Sequence, residues 1–230
     1  MSRSVLAKIG VVVKDAIAPV FCVQCGAVGG WLCSICAEQI LFVKEQVCYR
    51  CGKLSDGGKT CPRCRQYTDL GGVVVAVHYE AGPVREMVHK LKYEQLTDLA
   101  GTLSEVLIHG ANQKDWQGWV VVPVPLHSSR LAKRGFNQAG LLGKRLAQRF
   151  NLMYQPQLLR RLWSTATQTE LTRRYRQQNV YRAFQAREMR GAKVLLVDDV
   201  MTTGATLGDC ARACKDAGAK SVWAVVVARG

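Results

Sequence analysis

Residues 194–207 read VLLVDDVMTTGATL. Four consecutive apolar residues of strand-forming type, followed by polar ones, describe a strand buried on both faces and its exit into a loop. Two adjacent carboxylates, Asp198 and Asp199, sit where that strand ends. In open α/β sheets, ligands bind at the carboxyl ends of the strands. Two acids this close repel each other, so a ligand or ion must compensate them. Vicinal ribose hydroxyls or a metal ion would do so. The residues that follow, Thr202, Thr203, Gly204, Ala205 and Thr206, lead into a helix. Backbone N–H groups, hydroxyls and the helix dipole at such a turn form a cradle for a monophosphate. Gly204 lets the backbone approach closely. The stretch therefore suits a ribose 5-phosphate, with acids on the sugar and the loop on the phosphate.

The rest of the chain supplies the sheet. VVVAVHY (73–79), WVVVPVPL (119–126), KVLLVDDV (193–200) and VWAVVVAR (222–229) read as strands. Between them, 84–110, 137–150 and 207–218 have helical apolar spacing, the last closed by Gly218. Strands alternating with helices predict an α/β domain with a mainly parallel sheet. The chain has 230 residues, enough for one ordinary core and a smaller domain. The composition changes near residue 68, which predicts domains at 1–68 and 69–230.

Of the ten cysteines, eight form C-x-x-C pairs in the first domain: Cys22/Cys25, Cys33/Cys36, Cys48/Cys51 and Cys61/Cys64. Each pair turns two sulfurs to one point, half of a tetrahedral zinc site. Four pairs predict two structural Zn²⁺ sites with every ligand position filled. Sequence order favours 22/25 with 33/36 and 48/51 with 61/64; an interleaved pairing fits the same spacing. A reducing compartment argues against disulfides. Cys210 and Cys214 are expected to face the core.

Charge narrows the partners. Lys and Arg number 32 against 17 Asp and Glu, a formal net charge of +15. Such a balance suits phosphate-rich ligands, nucleic acid or an acidic surface. Between Arg130 and Arg190 there are 14 basic and 2 acidic residues, an asymmetry that also suits single-stranded nucleic acid; the interleaved Tyr175, Tyr181 and Phe184 are expected in the core more often than as stacking platforms. No stretch has the length of a spanning helix. Charges interrupt the apolar N-terminal segment, which reads as an amphipathic lead-in helix, and a cytoplasmic protein without membrane insertion is expected.

VLLVDDVMTTGAT resembles the phosphoribosyl pyrophosphate motif of type I phosphoribosyltransferases. PVPLHSSRLAKRGFNQA (123–139), TATQTELTRRYRQQNVYRAF (165–184) and the paired cysteines are similar to the ComF/GntX family, the competence-associated phosphoribosyltransferase-like proteins with a double zinc ribbon. The resemblance spans essentially the whole chain. It implies a type I phosphoribosyltransferase fold and binding of phosphoribosyl pyrophosphate with Mg²⁺, Asp198 and Asp199 being the catalytic acids. Arg130, Lys133 and Arg134 become the pyrophosphate side, and Gln168, Arg173, Arg174 and Arg176 part of a closing lid. It also implies a role in DNA uptake during transformation, with single-stranded DNA and DNA-uptake proteins as partners. A non-catalytic nucleotide or single-strand module is the rival reading, and whether catalysis occurs, the acceptor and the oligomeric state stay open. Purine-salvage relatives carry an Asp where this chain has Thr202, which cannot act as a general base, so purine salvage is not expected.

Overall fold

The computed structural model describes residues 19–80, 82–162 and 182–230. The lead-in helix, Tyr175, Tyr181 and the four lid residues fall outside the described residues. The order of the main elements is α1 (Ser34–Glu38), α2 (Pro62–Arg65), β1 (Val73–His78), α3 (Pro83–Tyr93), α4 (Leu99–Ala111) and β2 (Trp119–Pro123). There follow α5 (Ser128–Arg134), α6 (Gln138–Phe150), β3 (Met153–Tyr154), β4 (Leu159–Arg161), β5 (Phe184–Ala186), β6 (Lys193–Met201), α7 (Ala205–Asp216) and β7 (Ser221–Arg229).

Five strands form one sheet in the order β1-β7-β6-β2-β3, and every pairing in it is parallel. Val194, Leu195, Leu196 and Val197 of β6 are all fully buried, as a strand covered on both faces must be. One apolar cluster joins α3, α4 and α6 to one face; the other joins α7, β4 and β5 to the opposite face. Chain order reverses between β2 and β6. β2 leads through α6 to the edge strand β3, and β6 leads through α7 to β7 on the other side. The two connections leave on opposite faces and open a crevice between the carboxyl ends of β2 and β6, the usual binding place of such sheets.

The helical pattern predicted across 84–110 is divided. α3 ends at Tyr93 and α4 begins at Leu99, with Gln95 at φ +59° between them. A left-handed residue cannot continue an α-helix, so the chain turns there and both helices reach the sheet. β4 and β5 form an antiparallel pair beside the main sheet. These three-residue segments, like the two-residue β3, are too short to carry a periodic pattern.

The Cys-rich region docks on the edge of β1. Gln46 is buried, and its side-chain amide behaves like a short piece of strand. Its Nε2 donates to the Val75 carbonyl at 2.9 Å and its Oε1 accepts from Val75 N–H at 3.0 Å. The Val43 N–H donates to Ala76 O at 2.8 Å. These bonds satisfy groups that an open edge leaves exposed. Gly58, at φ +80°, lies so close that a Cβ there would fall 2.0 Å from Val73 O. Among the described residues no helix is long and apolar enough to cross a membrane.

Candidate functional site

The paired cysteines converge in sequence order. Cys22, Cys25, Cys33 and Cys36 form one quartet and Cys48, Cys51, Cys61 and Cys64 the other, with ligand atoms in each all within 4.8 Å. The interleaved alternative is thereby removed. Cys25 and Cys33 sulfurs lie 3.6 Å apart, and those of Cys51 and Cys61 3.7 Å. Zn–S bonds of about 2.3 Å in a tetrahedron place sulfurs about 3.8 Å apart, so both quartets fit zinc. The two are built alike. In each, a glycine one residue after the first pair bends the chain back, and the second pair opens a short helix, α1 or α2. The Cys33 N–H donates to Cys22 Sγ and the Cys61 N–H to Cys48 Sγ, both at 3.5 Å. Burial raises the Cys22 thiol, but N–H groups of Cys33, Cys25 and Gln24 outweigh it and bring it down to about 6. N–H groups of Cys61, Arg50 and Cys51 do the same for Cys48. Cys210 and Cys214 are fully buried in the core, as expected.

At the β6 end of the crevice stand the two acids. Asp199 is 3% exposed and Asp198 half-buried. The sequence leaves both without a partner, but α3 supplies one. Lys92 places Nζ 2.9 Å from Asp199 Oδ1, which also accepts the Val200 N–H at 2.6 Å. Burial alone would lower the Lys92 pKa; the Asp199 charge more than offsets it and the net shift is upward. Asp199 Oδ2 is buried with no hydrogen-bond partner. A buried carboxylate oxygen without a donor is costly, and it marks a place for a hydroxyl or a cation. Burial and then the Asp199 charge push Asp198 up to about 7, with Lys92 acting the other way.

Past Met201 the chain exposes Thr202 and Thr203, then turns at Gly204, φ +78°, into α7. Thr203 Oγ1 accepts the Ala205 N–H at 3.3 Å. Ala205 and Thr206 lie in the first turn, whose N–H groups have no partner within a helix. The fold itself requires Gly204. Its left-handed φ disfavours other residues, and a Cβ would lie 2.7 Å from the Tyr49 ring.

The three cations after β2 separate. Lys133 is exposed, Arg134 is tied to Gln138 Oε1 at 2.6 Å, and Arg130 is half-buried. Arg130 is close enough to Arg161 of β4 to act on it: the Arg161 pKa is lowered by burial first and by the Arg130 charge second, while Cys210 and Asp198 act the other way. Arg161 also lies over the Phe184 ring at 5.3 Å. Phe184 is a core residue. The segment carrying Gln168, Arg173, Arg174 and Arg176 leaves from β4 and returns to β5. Its return is fixed by Asp209 of α7, whose carboxylate accepts N–H groups of Arg182 at 3.0 Å and Ala183 at 2.7 Å.

Comparison with known proteins agrees with this architecture. A family profile described as phosphoribosyl transferase domain matches residues 93–230, and one described as double zinc ribbon domain matches residues 13–65. The chain is 31% identical over 204 residues to DNA utilization protein YhgH of Salmonella typhimurium, covering 85% of this chain and 89% of that protein. Competence protein F of Haemophilus influenzae is 28% identical, with 83% and 87% covered. Competence protein ComFC of Bacillus subtilis is 26% identical, with 84% and 92% covered. Fold and cysteine centres together define a phosphoribosyltransferase-type domain joined to a double zinc ribbon. Within that class, the chain belongs to the ComF family.

Proposed function

We propose that the crevice between β2 and β6 binds phosphoribosyl pyrophosphate. The observation that carries this reading is the end of β6, where an acid pair with one orphaned buried oxygen runs into a glycine-turned loop and a helix start. Asp198 and Asp199 accept the ribose hydroxyls. Residues 202–206 offer N–H and hydroxyl donors to the 5-phosphate, and the N-terminal end of α7 favours its charge. Arg130, Lys133 and Arg134 supply the pyrophosphate side, with Arg161 beside Arg130. The acidic donor set of Asp198 and Asp199 also fits Mg²⁺, which would neutralise pyrophosphate charge when bound with the ligand. Lys92 pairs with Asp199 and limits the acid pair's demand for further cations.

If the site is catalytic, the bond from ribose C1 to pyrophosphate breaks and an acceptor attacks the cationic carbon. This chain's residues would then act by positioning and by stabilising charge. Thr202 is exposed and holds no titratable base, which supports an acceptor that needs no proton removed at that position. Titrating phosphoribosyl pyrophosphate and Mg²⁺ into the zinc-loaded chain, with ribose 5-phosphate and pyrophosphate as separate competitors, tests the reading. Competition by both fragments is expected; no binding at millimolar ligand contradicts it.

A second reading is supported by the relatives named for DNA utilization and competence and by the basic excess of 130–190. In it, the chain handles single-stranded DNA in the cytoplasm, with or without DNA-uptake proteins, and the sugar-phosphate site serves that task.

A further inference from the structure

The second cysteine quartet and the loop after β6 meet at one residue. Tyr49 follows Cys48 directly and is 4% exposed. Three contacts hold it. Its hydroxyl donates to Thr68 Oγ1 at 2.6 Å. Its carbonyl accepts from Arg229 Nη2 at 3.1 Å. Its ring lies against Gly204, where a Cβ would meet Cδ2 at 2.7 Å and Cε2 at 2.9 Å. Arg229 is the register partner of Met201 across β6 and β7, and the Gly230 N–H donates to Met201 O at 3.0 Å. The backbone on both sides of the loop's first residues is therefore tied to the residue beside a metal ligand.

Among the described residues the first quartet has no such link. Its apolar neighbours Val23, Trp31 and Leu32 join the cluster of α3, α4 and α6, on the other face of the sheet. Tyr49 and Val43 belong to the cluster that contains Met201 and Leu207, which bracket the loop. The two quartets are alike in ligand geometry and differ in what they touch.

We propose that Tyr49 is the positioning residue of the 202–206 loop, and that metal loading of the Cys48/Cys51/Cys61/Cys64 site, but not of the other, sets the loop's geometry. With that site filled, the Cys48–Tyr49 peptide is fixed and the ring forms a floor beneath Gly204. Without metal the knuckle loosens, the floor is lost, and the loop samples conformations in which its N–H groups diverge. Anion binding at the loop and metal binding at this quartet then favour each other, as linkage requires of coupled sites. The anion part of this coupling rests on the reading of the loop as a phosphate site; the mechanical part does not.

The test uses the full zinc-loaded chain and follows amide hydrogen exchange of the peptide spanning 201–207, zinc content, and binding of ribose 5-phosphate. Tyr49→Ala is expected to retain both zinc ions, to speed exchange at 201–207 at least tenfold, and to leave β2 unaffected. Tyr49→Phe, which loses only the Thr68 hydrogen bond, should stay near wild type. Cys51→Ser should speed exchange at 201–207, whereas Cys25→Ser should not. Gly204→Ala should lower the melting temperature less in the Tyr49→Ala background than alone, because the steric clash has gone and only the φ cost is left. Unchanged exchange in zinc-loaded Tyr49→Ala would overturn the proposal. Equal effects of the two cysteine variants would also overturn it. Where Cys51→Ser fails to fold, Tyr49→Ala and the Gly204→Ala cycle still decide the matter. If wild type binds no ribose 5-phosphate, the phosphate reading of the loop falls, and the exchange data judge the positioning role separately.

Discussion

Lys92, near the end of α3, places its ammonium 2.9 Å from the Asp199 carboxylate at the end of β6. Both groups are largely withdrawn from water. Removing one partner of such a pair leaves an uncompensated charge, at a cost of about 3–5 kcal/mol in buried cases, whereas removing both is often nearly neutral. Lys92→Met should therefore destabilise the chain by an amount near the lower end of that range. Asp199→Asn together with Lys92→Met should recover most of the loss. Urea denaturation of the two single variants and the double variant measures this; purely additive losses would deny the pair its role.

The acid beside it titrates in an unusual range. Asp198 is pushed up to about 7, while an unfolded chain gives its ordinary value near 3.8. Between those values the folded chain holds the extra proton, so this group's contribution to stability is largest at low pH. It declines as pH rises toward 7 and is level above that. Wild type should therefore lose stability relative to Asp198→Asn between about pH 4 and pH 7 in Mg²⁺-free buffer, and the difference should be level above pH 7. An equal pH dependence in both chains would contradict the assignment.

Two complete cysteine quartets predict two zinc ions per chain. Cys25→Ser and Cys51→Ser should each remove roughly one, because a tetrahedral structural site tolerates no missing ligand well. Elemental analysis of well-folded protein with one zinc or none would rule out the two-site arrangement.

The nucleic-acid reading makes its own demand. Affinity for single-stranded DNA should fall steeply with salt as neutralised phosphates release counterions. Replacing Arg173 and Arg174 with Ala should reduce the log–log slope by about 1.4, at roughly 0.7 per lost phosphate contact. Affinity that ignores salt, or is absent at low salt, would leave the DNA role without physical support in this chain.

What the sequence made legible was local. C-x-x-C spacing identifies ligands through short covalent separations, and VLLVDDVMTTGATL carries a strand, an acid pair and a turn in fourteen consecutive residues. What stayed hidden joins distant segments. Nothing around Lys92 in VHKLKY distinguishes it from an exposed helix lysine, and its role appears only in its pairing with Asp199 of β6. Arg161 sits on a three-residue strand with no pattern of its own. Gln46 and Tyr49 act through the edge of β1 and the loop after β6, and a glutamine just before a cysteine pair or a tyrosine inside it gives no hint of either. The glycine in the loop was recognisable, but half of its reason, the ring of Tyr49, lies in the other domain.

The most direct test of the proposed site compares wild type with Asp198→Asn and Asp199→Asn by calorimetric titration with phosphoribosyl pyrophosphate and Mg²⁺. Each substitution keeps side-chain volume and removes a charged acceptor, worth about 1.5–3 kcal/mol per charge-assisted hydrogen bond. The account predicts binding by wild type and affinity roughly ten- to a hundredfold weaker in either variant, while circular dichroism shows all three folded. Equal affinity in the three chains, or no binding by wild type, would contradict it.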